Sequence, residues 1–83
     1  MTDTLRWFVH QRMQWIAETL RIFGFIRREH LMLKFGISTP QAAADLKRYS
    51  QMHPGALRYD ATLKTYRAAE AKRSVIELAA ATL

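Results

Sequence analysis

The 83-residue sequence contains no cysteine. This excludes a disulfide framework, a Cys-ligated zinc finger and a thiol nucleophile. Because small secreted domains usually need disulfides, the absence of cysteine favours a reducing, cytoplasmic compartment. No apolar run approaches the roughly 20 residues of a membrane-spanning helix. The N-terminal residues MTDTLRWF have neither the basic region nor the apolar core of a signal peptide, so we expect no membrane partner.

Acidic residues are scarce as well. Seven Asp and Glu residues face 13 Lys and Arg residues, giving a net charge of +6 and a pI near 10.3. A basic domain of this size often binds a polyanion, and nucleic acid is the commonest one. The alternative is that the charge only serves solubility. The basic residues are spread along the chain, so any basic surface must be assembled by folding.

Groupings typical of catalysis are also missing. The three histidines, His10, His30 and His53, are not at metal-ligand spacing, and there is no glycine-rich phosphate loop. Ser38 has no base beside it in the sequence. We therefore expect no enzymatic activity, no metal and no cofactor. For Asp45, which has basic neighbours in the sequence, we expect an ion pair that orients Arg48 or Arg28.

A long first helix is predicted from about Thr4 to Phe23, ended by Gly24. One apolar stripe, expected to be core, consists of Leu5, Val9, Met13, Ile16, Leu20 and Phe23. A second stripe, spaced by seven, consists of Phe8, Trp15 and Ile22. This second stripe is either more core or a homodimer contact. We predict the contact, because a domain this small would struggle to cover both stripes.

Residues 28–52 have the order of a helix-turn-helix. A short helix from about Arg28 to Phe35 is followed by Gly36, where the chain must reverse. A second helix over 38–52 starts with a hydroxyl cap and Pro40. Spacing predicts that Ala42, Leu46 and Tyr49 are buried. The opposite face carries Thr39, Gln41, Ala43, Ala44, Lys47 and Arg48.

After His53-Pro54-Gly55 the apolar period changes to two, which predicts a β-hairpin over 56–68. Tyr59 and Tyr66 are expected to face the core. The residues expected to face outward are Arg58, Lys64 and Arg67. Such a hairpin can contact DNA as a wing, or it can merely close the core with solvated basic residues, and both can be true together. Phe25-Ile26 is a possible short strand.

The alanine-rich residues 69–83 predict a C-terminal helix. One isolated helix of this length would be marginal in water. We therefore expect it to pack on the first helix, in its own chain or in a partner's. Its apolar residues Val75, Ile76 and Leu83 are predicted to join the dimer interface.

Together these elements predict one mainly α domain over residues 1–83 with a small β-hairpin. The expected fold is a winged helix-turn-helix with long N-terminal (1–24) and C-terminal helices. Its second helix-turn-helix element would enter the major groove of double-stranded DNA. There Gln41 matches the donor and acceptor of adenine, Thr39 can bond any base edge, and the methyls of Ala43 and Ala44 can pack on thymine.

Two stretches, HLMLKFGISTPQAAADLKRY and HPGALRYDATLKTYRA, carry a family resemblance over about half of the chain. They resemble the N-terminal winged-helix domain of bacterial WYL-domain transcriptional regulators of the CapW and BrxR kind, and more loosely DeoR-type winged helices. The resemblance implies a homodimeric DNA-binding repressor with a palindromic operator. Ser38 would cap the recognition helix and touch phosphate, and Gln41 would read bases. The implied backbone contacts are Lys47, Arg48, Arg58 and Lys64, beside which we place Arg67.

The sequence ends after the predicted winged helix, without a WYL domain. We therefore expect a minimal version of such a regulator, from a phage or mobile element. The alternative is a protein-binding module that uses the same scaffold to inhibit a host protein. Ala43 and Ala44 suit that alternative, which predicts apolar side chains around the second helix-turn-helix element. A DNA-binding protein should instead show Lys47, Arg48, Arg58 and Lys64 converging around that helix.

Overall fold

The computed structural model of the protein describes residues 2–69. The elements in chain order are α1 (Thr2–Phe23), β1 (Phe25–Ile26), α2 (Arg28–Phe35), α3 (Thr39–Met52), β2 (Leu57–Asp60) and β3 (Thr65–Ala68). The helix-turn-helix, the hairpin and the short strand at Phe25–Ile26 are confirmed. The predicted C-terminal helix, with Val75, Ile76 and Leu83, lies outside the described residues apart from Ala69.

Helix α1 begins two residues before the predicted start and ends where Gly24 adopts a φ of 80°. The Gly24 N–H donates to the carbonyl of Leu20 at 2.8 Å. Of the stripe predicted to be core, Met13, Ile16 and Leu20 are buried and Val9 is half-buried. The prediction is wrong for the two ends, because Leu5 is 65% and Phe23 47% exposed. A 22-residue helix of about 33 Å extends beyond its short neighbours, at 1.5 Å per residue.

Helix α2 has the predicted bounds. Its first turn is closed by His30, whose Nδ1 accepts the backbone N–H of Arg27 at 3.0 Å. Partial burial lowers the pKa of His30, and the positive charge of Arg27 acts in the same direction. Both effects favour the neutral imidazole, which is the form that has an accepting nitrogen. The helix ends at Gly36, whose φ of 64° is the left-handed conformation required for the sharp turn.

Helix α3 starts at the predicted cap. The Ser38 hydroxyl accepts the backbone N–H of Gln41 at 3.2 Å, and Pro40 occupies the first turn. Ala42, Leu46 and Tyr49 are buried as predicted. They pack with the buried residues of α1, Ile26 of β1 and Leu31 of α2 in one hydrophobic core.

The sheet has three antiparallel strands in the order β1-β3-β2. Tyr66, in the central strand, packs against the core. Tyr59 does not, so its predicted inward position is wrong. It lies on the edge strand β2, is 50% exposed, and its ring centroid lies 4.9 Å from that of Tyr66. The buried position on the hairpin is instead Thr65, which is fully buried and bonded to the Arg27 side chain.

Asp45 is buried, with 1% of its surface exposed, and its partner is Arg12 of α1. The Arg12 Nε donates to Oδ2 at 2.6 Å and the Nη2 donates to Oδ1 at 3.2 Å. The expectation that Asp45 pairs with Arg48 or Arg28 is therefore wrong. Position 45 lies three residues after Ala42, on the inner face of α3, which faces α1.

In the described part of the chain, the helices are too polar or too short to cross a lipid bilayer. Within residues 2–69, no three side chains of the metal-ligating types come together.

The Arg12–Asp45 pair gives a stability prediction. Arg12→Met leaves a buried carboxylate without its cation, so we expect a loss of about 3–5 kcal/mol. The whole domain has roughly 4–12 kcal/mol at the usual 0.05–0.15 per residue. The double variant Arg12→Met/Asp45→Leu removes both charges and should regain most of the loss. Urea unfolding at neutral pH measures both, and additive effects of the two substitutions would contradict the pairing.

Candidate nucleic-acid interface

A groove with mixed polar, basic and apolar walls runs between the N-terminal half of α1 and the outer face of α3, and we call it the α1–α3 groove. It brings together four of the residues predicted to contact DNA: Gln41, Ala44, Lys47 and Arg48. The other lining residues are Leu5, Phe8, Val9, Arg12, Asp45 and Gln51.

The outer face of α3 is open to solvent. Thr39, Gln41, Ala44, Lys47 and Arg48 are exposed, and Ala43 is half-buried. Asp45 is the only acidic residue in Thr39–Met52, and its carboxylate is turned inward and paired with Arg12. The charges left on the exposed face are therefore the positive ones of Lys47 and Arg48.

The Arg12–Asp45 pair also holds Gln41. The Gln41 Nε2 donates to Asp45 Oδ1 at 2.9 Å, the same oxygen that accepts from Arg12. An ionised carboxylate can only accept, so the amide nitrogen and not the amide oxygen must face it. This bond uses one of the two N–H groups of the amide. The carbonyl oxygen and the second N–H remain as one acceptor and one donor on an exposed residue.

The start of α3 uses its hydroxyl groups locally. The Ser38 hydroxyl is the helix cap, as predicted. The Thr39 hydroxyl lies 3.4 Å from the Met32 sulfur on α2. A thioether is a weak acceptor, so this contact leaves the Thr39 hydroxyl available for a stronger partner.

The predicted basic residues of the hairpin do not line the α1–α3 groove with Lys47 and Arg48, and they form a separate group. Arg58 and Arg67 lie opposite each other across β2 and β3 and line a shallow pocket on the sheet. Arg58 is exposed, whereas Arg67 is half-buried, with its Nη1 3.7 Å from the Asp60 carboxylate. Arg67 follows Tyr66, which packs against the core, so alternation along the strand places Arg67 on the opposite, outward face as predicted, where it pairs with Asp60.

Lys64 closes the turn between β2 and β3. It is exposed and has a φ of 52°, a left-handed conformation that costs a non-glycine residue about 1–2 kcal/mol. The turn is stabilised by Asp60, whose Oδ1 accepts the backbone N–H of Leu63 at 3.0 Å.

Arg27 positions the hairpin and was missed in the sequence. Its Nε donates to the Thr65 hydroxyl at 3.0 Å and its Nη2 to the Leu63 carbonyl at 3.2 Å. One side chain at the start of α2 thereby holds the turn that carries Lys64. The local sequence identifies position 27 only as the residue before a helix, because its partners lie 36 and 38 residues away.

The second apolar stripe of α1 is divided between two places. Phe8, 49% exposed, lines the α1–α3 groove. Ile22, 52% exposed, lines a different groove between α1 and α2. Trp15 lines that second groove too, half-buried, and packs edge-on against Phe35 with ring centroids 5.6 Å apart. The three residues therefore do not share one groove.

Comparison with known proteins agrees with this architecture. Residues 9–78 match the model of the BrxR transcriptional regulator winged helix-turn-helix domain. The chain is 39% identical over 70 residues to the DNA-binding transcriptional repressor CapW of Pseudomonas aeruginosa, covering 84% of this chain and 23% of that protein. It is 42% identical over 62 residues to the CapW repressor of Escherichia coli, covering 75% of this chain and 21% of that protein.

A third CapW repressor, from Stenotrophomonas maltophilia, is 38% identical over 65 residues, covering 78% of this chain and 22% of the relative. The chain thus spans less than a quarter of the length of the curated relatives it matches. The family match covers most of the chain and includes α2, α3 and the hairpin. The resemblance found in the sequence is confirmed, and the chain belongs to the family of BrxR transcriptional regulator winged helix-turn-helix domains.

Proposed function

We propose that this domain binds double-stranded DNA sequence-specifically as part of a transcriptional repressor. Helix α3 lies in the major groove and the hairpin acts as a wing on the backbone. The observation that carries the proposal is the outer face of α3, which is exposed and free of acid because Asp45 is turned inward to Arg12. The names of the relatives, DNA-binding transcriptional repressors, support the same function.

Gln41 is the principal base-reading residue in this proposal. Adenine presents an acceptor and a donor in the major groove, and the free carbonyl and second N–H of Gln41 match them. The bond to Asp45 restricts the amide before DNA arrives, so less side-chain entropy is lost on binding. Thr39 and the methyls of Ala43 and Ala44 complete the reading face, the alanines by packing on thymine methyls.

Phosphate contacts supply most of the affinity. The proposed contacts come from the start of α3 through Ser38, from its outer face through Lys47 and Arg48, and from the hairpin through Arg58, Lys64 and Arg67. The backbone conformation of Lys64 also supports a role for its side chain. Glycine would fit its left-handed backbone without strain, and a strained non-glycine residue is more often found where its side chain has a role.

The homodimer remains part of the proposal. A single module buries a small interface on DNA, and two copies on a two-fold site increase both affinity and specificity. Trp7, near the start of α1 and outside the α1–α3 groove, is 56% exposed and offers apolar area for a second copy.

The rival proposal, a module that docks on a host protein, predicts an apolar surface around α3. The exposed side chains of α3 itself are mainly polar or basic and Ala44 is small, although the exposed Leu5 and Phe8 of α1 line the same groove. This composition favours DNA. Salt separates the two experimentally, because neutralising several phosphates makes the affinity fall steeply with ionic strength.

The role of Gln41 is tested by sequence preference. We expect Gln41→Ala to lose about 1–3 kcal/mol of discrimination between a duplex selected by the wild-type domain from a random pool and a scrambled duplex of equal composition. Fluorescence anisotropy at fixed salt measures both affinities. Gln14→Ala removes the same side chain from an exposed position on α1 outside the α1–α3 groove, so it serves as the control. Equal losses by Gln41→Ala on both duplexes would refute base reading.

The role of Lys64 is tested by a variant that relieves backbone strain. Lys64→Gly fits the φ of 52° and should leave the midpoint of thermal unfolding unchanged or raise it. It should weaken binding to selected and scrambled duplexes alike and lower the slope of log K against log salt by about one. Lys34→Ala, on the groove between α1 and α2, removes an equal charge away from α3. Unchanged affinity for Lys64→Gly, or an equal loss for Lys34→Ala, would show that the hairpin charge does not touch DNA.

A further inference from the structure

A second groove lies between the C-terminal half of α1 and the exposed side of α2, and we call it the α1–α2 groove. Its walls are mainly apolar and consist of Trp15, Ile22, Phe23, Phe25 and Leu33. The groove is also lined by four polar or charged residues: Glu18, Thr19, His30 and Lys34. Ile22, Phe23 and Leu33 are 52%, 47% and 85% exposed. Such adjacent apolar exposure on a small domain marks a surface that another segment covers.

The described part of the chain ends beside this groove. The Ala68 N–H donates to the carbonyl of Gly24 at 3.0 Å, and Gly24 stands between Phe23 and Phe25, both of which line the groove. The next residue is fixed as well, since the Ala69 N–H donates to the carbonyl of Ala56 at 2.9 Å. Ala68, one residue before the end of the described chain, therefore lies beside one end of the groove.

The sequence that follows residue 69 has the pattern of an amphipathic helix, whose apolar side would suit the apolar groove. Residues 70–83 read EAKRSVIELAAATL. In helical spacing, Val75, Ile76, Ala79 and Leu83 fall on one side. Fourteen residues make a helix of about 21 Å, whereas the eight-residue step from Trp15 to Phe23 along α1 is about 12 Å. A helix in this segment is long enough to cover the groove after a short turn.

We propose that residues 70–83 dock as an amphipathic helix in the α1–α2 groove of their own chain, with Val75 and Ile76 against Ile22, Phe23 and Leu33. The family match continues through residue 78, into this segment. Docking within the same chain is favoured over exchange with a second copy, because a short connection gives an effective concentration of about 1 mM or more. The α1–α2 groove and the α1–α3 groove share no lining residue. A helix docked in the first therefore leaves the proposed DNA face open.

Disulfide trapping tests this docking in the full chain, which contains no natural cysteine. Two double variants are compared, Leu33→Cys/Ile76→Cys and the control Leu33→Cys/Ser74→Cys. Residue 74 lies about 200° from residue 76 around a helix, at 100° per residue. A disulfide needs Cβ atoms about 3.5–4.5 Å apart, so only a side chain that faces Leu33 should react quickly. Leu33 is largely exposed, so its replacement does not disturb the core.

The expected result under mild oxidation is a monomeric cross-linked species that forms several-fold faster for position 76 than for position 74, at a rate independent of protein concentration. A disulfide-linked dimer would overturn the proposal and assign the groove to the segment of a second copy. Equal rates at the two positions, or no cross-link at either, would overturn it as well. None of these outcomes depends on DNA, so the proposed function can fail or hold separately.

Discussion

The buried ion pair between Arg12 and Asp45 is the interaction on which the proposed interface depends. It joins α1 to α3 through two hydrogen bonds in a setting where Asp45 is almost completely buried. It removes the single acid of α3 from the exposed face, and the oxygen that it orients also fixes the Gln41 amide. The Arg12–Asp45 pair therefore determines three properties of α3: the positive charge of its exposed face, the orientation of the Gln41 amide, and its packing against α1.

A second arginine outside α3 has a comparable effect on the hairpin. Arg27 lies at the start of α2 and holds the Leu63 carbonyl and the Thr65 hydroxyl. The turn that carries Lys64 is therefore tied to the helix-turn-helix and is not left to the two strands alone. The proposed phosphate contacts from α3 and from the hairpin require a fixed distance between these two elements, and the Arg27 side chain helps to set that distance.

Local signals in the sequence predicted most of the fold. The hydroxyl cap at Ser38, the glycine at 36 and the spacing of Ala42, Leu46 and Tyr49 each depend on neighbours within a few residues. They correctly predicted the start of α3, the turn and the buried face. The family motif has the same local character, which is why it could be identified without a structure.

Contacts between distant positions could not be predicted in the same way. Arg12 and Asp45 are 33 residues apart, and nothing near Asp45 in the sequence distinguishes Arg12 from Arg48 as its partner. The inward position of Tyr59 was wrong for a similar reason. Alternation along a strand gives two faces, but it does not tell which strand lies at the edge of the sheet. The predicted contacts to DNA and to a second copy remain predictions.

A map of amide chemical shifts on titration of the isotope-labelled domain with duplex DNA tests whether α3 reads DNA. We expect the largest changes along the outer face of α3, at Gln41, Ala44, Lys47 and Arg48, with the Gln41 side-chain amide among them. A further set of changes is expected at Lys64. Changes confined to the α1–α2 groove, or none at α3 under low-salt conditions, would contradict the assignment of α3 as the DNA-reading element.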